Sequence, residues 1–154
     1  MPAETTSIPR RVLVVDDDPA LLAALAEGLE VVGGYDVATC SDSASGLEHF
    51  FTFQPDCVVV DVRMPGLNGY QFVRALRGDP ESAQTPIIVL SALVQDHEQL
   101  AGLLSGADAY LTKPIKIADL IMIINQAIFL TSDERERQMR QLSDMGRGGE
   151  GDGV

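Results

Sequence analysis

Residues 57–61 read Cys-Val-Val-Val-Asp, and Val62-Arg63-Met64-Pro65-Gly66 follow at once. A short β-branched run bounded by Pro and Gly predicts a strand buried on both faces, the kind found inside parallel sheets. In an open α/β sheet, chemistry gathers beyond the carboxyl ends of the strands. Asp61 stands at such an end. Three further runs have the same form: Val12-Leu13-Val14-Val15 ends at Asp16-Asp17-Asp18, Ile87-Ile88-Val89-Leu90 ends at Ser91, and Ala109-Tyr110-Leu111-Thr112 ends at Lys113-Pro114. A fifth strand, with a weaker signal, is expected over residues 35–40.

Helical patterns fill the intervals. Asp18 is placed to cap a helix with Pro19 at its first position, and Leu22, Leu25, Leu29 and Val32 recur at helical spacing before Gly33-Gly34. Ser43 is expected to cap a helix to about Phe53, and a third helix runs from Asn68 or Gly69 to Arg77. A fourth is expected over residues 96–105 and a fifth over 116–130. Five alternations of strand and helix predict a doubly wound, five-stranded parallel sheet of flavodoxin type, order 2-1-3-4-5, with helices on both faces. The expected organisation is a flexible lead-in at 1–9, one domain at 10–131, a charged helical extension at 132–145 and a disordered Gly-rich tail at 146–154.

Composition narrows the function. Net charge is -12, from 23 acids against 11 bases, which disfavours unaided binding to nucleic acid or to an anionic membrane. Two cysteines, Cys40 and Cys57, are expected as buried free thiols of a reducing cytoplasm. The most apolar segment, 117–130, is interrupted by Asp119, Asn125 and Gln126 and is too short to span a bilayer. His49 and His97 have no partnered motif and read as surface residues. The G-x-G-x-x-G spacing at 146–151 has neither strand before it nor helix after it and reads as accidental.

The strand ends assemble a constellation: Asp16, Asp17, Asp61, Ser91 and Lys113 on one edge of one sheet. Three carboxylates so close repel unless a cation lies between them. All-oxygen ligands select a hard ion, with Mg²⁺ the best candidate. A carboxylate nucleophile, a metal, a hydroxyl and an ammonium are the parts that phosphoryl transfer needs.

These pieces resemble the receiver domain of the two-component response regulators. The matching stretches are 14–18, 60–69, 90–92 and 106–114, and the resemblance covers about residues 11 to 130. It implies that Asp61 takes a phosphoryl group from a histidine kinase or a histidine phosphotransfer protein. It also implies Mg²⁺ (with Mn²⁺ or Ca²⁺ as substitutes) on Asp16, Asp17, Asp61 and the backbone carbonyl of Arg63. Ser91 corresponds to the switch hydroxyl, Tyr110 to the switch aromatic and Lys113 to the phosphoryl-contacting lysine, with a cis bond common before the residue at Pro114. Phosphorylation would draw Ser91 towards Asp61, turn Tyr110 inward and reshape the face of the fourth helix, fifth strand and fifth helix. Arg63 and Leu93 occupy positions that influence dephosphorylation in the family, and their bulk implies a shielded, longer-lived phosphoryl group.

Only 24 residues follow Leu130, so, unless the sequence is a fragment of a longer regulator, the expectation is a cytoplasmic regulator with no DNA-binding output domain, signalling through protein contacts to an unidentified downstream protein or by relay. It is not an enzyme beyond transfer to Asp61 and autodephosphorylation. The alternative, a Mg²⁺-dependent phosphoester hydrolase, would want an acid two residues after the nucleophile, where Arg63 stands. A receiver fold serving as a phosphate-independent scaffold is the third reading, and the intact set of acids, hydroxyl and lysine argues against it. On the last helix, Ile117, Ile121, Ile124 and Ile128 form the expected core stripe. Leu120, Met122, Ile123, Phe129 and Leu130 then either pack under the charged extension or form a surface for a homodimer or another partner.

Overall fold

In the computed structural model of the chain, the described residues are 8–62, 64, 68–91, 106–131, 137 and 140. They form β1 (Arg11–Val15), α1 (Pro19–Val31), β2 (Asp36–Cys40), α2 (Ser43–Phe53), β3 (Cys57–Asp61), α3 (Gly69–Gly78), β4 (Ile87–Ser91) and β5 (Ala109–Thr112). Residues 117–131 are helical and are called the C-terminal helix below. The expected helix at 96–105, the lead-in at 1–7 and the tail at 146–154 lie outside the described residues, as do Arg63, Leu93 and His97.

All strand pairings are parallel, and the sheet order is β2-β1-β3-β4-β5. β1, β3 and β4 are inside the sheet and their valines, leucines and isoleucines are fully buried, which is why they read as unbroken apolar runs. Side chains alternate in direction along a strand, so each run feeds two cores. Leu13, Val15, Val58, Val60, Ile87 and Val89 point to one face and pack with Phe50 of α2 and Phe72, Val73 and Leu76 of α3. Val12, Val14, Cys57, Val59, Ile88 and Leu90 point to the other, against Leu22, Leu25 and Leu29 of α1 and Leu120, Ile124 and Ile128 of the C-terminal helix. Cys40 and Cys57 are buried free thiols, and burial pushes both upward in pKa, Cys57 far above the ordinary thiol range. Among the described residues no helix is long and apolar enough to cross a membrane.

Local signals set the helix ends. The Asp18 carboxylate accepts from the Ala20 and Leu21 amides and caps α1. Asn68 and Gln71 form a reciprocal capping box at the start of α3. Three expectations need correction. Asp42, not Ser43, caps α2: its carboxylate accepts from the Ser45 amide and hydroxyl, while Ser43 is the first helical residue and is buried. A carboxylate one residue upstream competes successfully for the cap. Val32 belongs to no core stripe, because α1 ends at Val31 and leaves Val32 in the C-cap, 70 % exposed. On the C-terminal helix, Leu120 is fully buried while Ile117 and Ile121 are only partly so. The contact stripe is broad, as for any helix laid on a sheet, and Leu120 falls at its centre. Met122, Phe129 and Leu130 do lie outside it, in solvent.

The edge of the fold opposite the polar strand ends is held by Arg77, the residue before the last of α3. Its guanidinium donates to the carbonyls of Ala83, Thr85 and Gly106 and pairs with the Asp108 carboxylate at 2.9 Å. Asp108 in turn accepts from the Ile87 amide at 2.7 Å, at the first residue of β4. Tyr35, beside the start of β2, donates its hydroxyl to the Asn125 side chain and so ties the C-terminal helix to the segment entering β2.

Candidate phosphoacceptor and cation site

Parallel pairing brings every strand's carboxyl end to one side. Val15 lies opposite Val60, so the next residues, Asp16 and Asp61, come level. Asp61 lies opposite Leu90, which places Ser91 one step further along the neighbouring strand. Ser91 lies opposite Thr112, and the Lys113 amide donates to the Ser91 carbonyl at 2.7 Å. The peptide between Lys113 and Pro114 is cis.

The side chains converge. Asp16 is 1 % exposed and Asp61 is 5 % exposed. Lys113 Nζ reaches Asp61 Oδ1 at 2.9 Å and Asp16 Oδ2 at 3.3 Å, bridging the two. Burial acts to lower the pKa of Lys113, but the hydrogen bond and charge of Asp61, joined by those of Asp16, outweigh it and hold the ammonium above its ordinary value. The Asp18 amide donates to Asp16 Oδ1 at 2.9 Å, and the Asp16 amide donates to the Cys40 carbonyl at 3.1 Å. Asp16 is therefore held at both its backbone and its carboxylate.

Asp16, Asp17 and Asp61 each offer a carboxylate oxygen, and these oxygens lie within 4.8 Å of one another. Hard divalent ions take oxygen ligands at roughly 2.0–2.6 Å, so one ion can reach across such a span. Charge points the same way. Among the described residues, these three carboxylates and the Lys113 ammonium together leave two negative charges, and two of the carboxylates are nearly out of water. The donor set fits a divalent cation. Replacing exposed Asp17 by Asn removes repulsion while leaving the buried pair intact. In a chelating buffer, Asp17→Asn is expected to melt about 2–4 °C above wild type. Added Mg²⁺ should raise the melting point of wild type and leave the variant nearly unmoved; an equal Mg²⁺ response from both would remove Asp17 from the cation site.

Of the residues singled out from sequence, Asp16, Asp17, Asp61 and Lys113 meet in space. Ser91 is 1 % exposed at the end of the adjoining strand. Tyr110 sits two residues earlier than Thr112 on the edge strand β5, opposite Val89, and is 38 % exposed. The Arg63 carbonyl lies outside the described residues. Gly69 abuts the Asp61 backbone directly. In the sequence it stands as a possible helix start and as the last residue of the matching stretch 60–69, with no role assigned to it.

Comparison with known proteins agrees with this geometry. The family model described as response regulator receiver domain matches residues 12–125. The transcriptional regulatory protein PrrA of Mycobacterium tuberculosis is 44 % identical over 111 residues, 72 % of this chain and 46 % of PrrA. The DNA-binding response regulator MtrA of Mycobacterium leprae is 35 % identical over 139 residues, 88 % of this chain and 58 % of MtrA. The crystal structure of a response regulator receiver domain protein from Clostridium thermocellum superposes with a TM-score of 0.72 at 29 % identity, covering 84 % of this chain and 98 % of that one.

These relatives correct one expectation. A regulator signalling through protein contacts alone, with no DNA-binding output and no direct nucleic-acid partner, is not what they describe: PrrA is a transcriptional regulator and MtrA is DNA-binding. The chain spans about half the length of the curated relatives it matches. The 24 residues after Leu130 say nothing about output, because the matched stretch is about half the length of the regulators it resembles.

Proposed function

Since the chain belongs to the response regulator receiver domain family, we propose that it accepts a phosphoryl group on Asp61 and serves as the input unit of transcriptional regulation, the activity named for PrrA. The observation that carries this reading is the Lys113 bridge between Asp61 and Asp16 beside a third carboxylate. The donor is a phosphohistidine of a kinase or of a phosphotransfer protein. An Asp61 carboxylate oxygen attacks phosphorus, an O–P bond forms, the P–N bond breaks, and the leaving imidazole keeps the electron pair and takes a proton from solvent. Asp16, Asp17, Asp61 and the Arg63 carbonyl would hold Mg²⁺, which supplies charge stabilisation for the phosphoryl oxygens.

Lys113 then has two tasks. Before transfer it holds the Asp61 carboxylate in place and partly offsets the repulsion from Asp16. Afterwards Asp61 is an acyl phosphate whose own oxygens have lost the carboxylate charge, and the Lys113 ammonium can pair with a phosphoryl oxygen instead. Ser91, on the neighbouring strand end, is the hydroxyl that follows the new charge, and half-exposed Tyr110 is the aromatic that responds. The exposed Tyr110 and Met122 support a contact surface on β5 and the C-terminal helix, for self-association or for another protein. The buried free thiols suit a reducing cytoplasm.

The test is intact-mass measurement after incubation with acetyl phosphate, a small-molecule surrogate for the kinase. One added phosphate, requiring Mg²⁺ and abolished by a chelator, is the expected result. Absence of any adduct at saturating Mg²⁺ would remove the phosphoacceptor reading. Steady turnover of a phosphoester with no stable adduct would favour a hydrolase instead.

A further inference from the structure

Gly69 begins α3, and it begins it against the phosphoacceptor. A Cβ built on Gly69 would lie 2.4 Å from the Asp61 carbonyl oxygen, 2.9 Å from the Val62 Cα and 3.1 Å from the Asp61 carbonyl carbon. All three are backbone atoms of the peptide that leaves the acceptor residue, and none can swing aside as a side-chain tip would. The Gly69 amide donates to the Val62 carbonyl at 2.9 Å, and the Val62 amide donates to the Leu90 carbonyl of β4 at 2.9 Å. The Asp61–Val62 peptide is thus clamped between the sheet on one side and the first turn of α3 on the other. That turn is itself fixed by the capping box of Asn68 and Gln71.

We propose that Gly69 is a positioning residue for phosphoryl acceptance: the missing side chain lets the first turn of α3 seat on the Asp61 backbone and set the carboxylate against Lys113 and the cation ligands. The inference rests on the phosphoacceptor reading for its chemistry but on local geometry for its placement. Relieving a 2.4 Å contact requires the backbone to move by roughly 1 Å, and misplacement of that size can cost about 100-fold in rate.

A matched control lies in the same helix. Gly78 ends α3, and a Cβ there meets nothing within 4 Å. Gly69→Ala and Gly78→Ala add the same methyl group to the same helix, one at the acceptor and one far from it. The experiment follows three readouts on the full chain: Mg²⁺ binding by calorimetry, the initial rate of phosphorylation by acetyl phosphate at varied Mg²⁺, and the position of the Val62 amide resonance. Gly69→Ala is expected to weaken Mg²⁺ binding and slow phosphorylation at least 10-fold each, with the Val62 amide resonance displaced from its wild-type position. Gly78→Ala is expected to match wild type in all three.

Wild-type Mg²⁺ affinity and phosphorylation rate in folded Gly69→Ala would overturn the inference. If wild type binds Mg²⁺ but takes no phosphate, the phosphoacceptor reading falls and the Mg²⁺ comparison still decides the role of Gly69. Should Gly69→Ala fail to fold, Asn68→Ala carries the test, because it loosens the same turn without adding an atom there. A several-fold loss of Mg²⁺ affinity supports the positioning role, and unchanged affinity refutes it.

Discussion

Asp61→Asn protein incubated with Mg²⁺ and acetyl phosphate is expected to gain no phosphate under conditions where wild type gains one. The carboxamide has nearly the shape of the carboxylate, so the packing of a residue 5 % exposed is preserved. Its oxygen carries no full charge and is a poor nucleophile, and one of the three negative charges of the carboxylate cluster is gone. Lys113 keeps Asp16 as a partner at 3.3 Å, so its ammonium is not stranded. Loss of the 2.9 Å pair with Asp61 is offset by reduced repulsion among the acids, and stability should change by no more than about 1 kcal/mol. Intact mass with peptide mapping reads the chemistry, and urea unfolding reads the stability. A phosphate still present in Asp61→Asn, mapped to Asp16 or Asp17, would move the acceptor role to that residue.

The second large effect concerns the fold rather than the chemistry. Arg77→Ala is expected to destabilise the protein by about 3 kcal/mol, lowering the melting point by roughly 6–12 °C. The side chain is 24 % exposed, and its guanidinium satisfies carbonyls from the 79–85 loop and from Gly106 while pairing with Asp108. Truncation leaves several carbonyls without a charged donor and leaves Asp108 with the Ile87 amide but no cation. Arg77→Lys should recover little, because one ammonium cannot match the planar fork that reaches three carbonyls and a carboxylate. Since this cluster lies at the far edge of the sheet from Asp61, phosphorylation of the folded variant should proceed at the wild-type rate. A loss of stability under about 1 kcal/mol would mean that water replaces these bonds nearly as well.

Much of the fold could be read from local pattern. The runs at 12–15, 57–60 and 87–90 are buried strands because they are β-branched on both faces, and only a sheet covered on both sides accommodates that. Weaker assignments came where two residues competed for one task. Asp42 and Ser43 are both good caps, and the choice between them turned on backbone placement at the helix entry. Leu120 and Ile117 both suit a core stripe, and the choice depended on how the helix lies on the sheet.

Local pattern along the chain says which chemical groups stand at the strand ends: an acid after β1, an acid ending β3, a hydroxyl ending β4 and a lysine after β5. That follows from short-range chemistry, since apolar runs and the polar residues that stop them are neighbours along the chain. It took the folded chain to show that Asp16 and Asp61 come level, that Lys113 reaches both, that Arg77 gathers carbonyls from two loops and that Gly69 abuts Asp61. Those facts depend on strand register and on contacts between residues far apart in sequence, which hydrophobic periodicity does not encode.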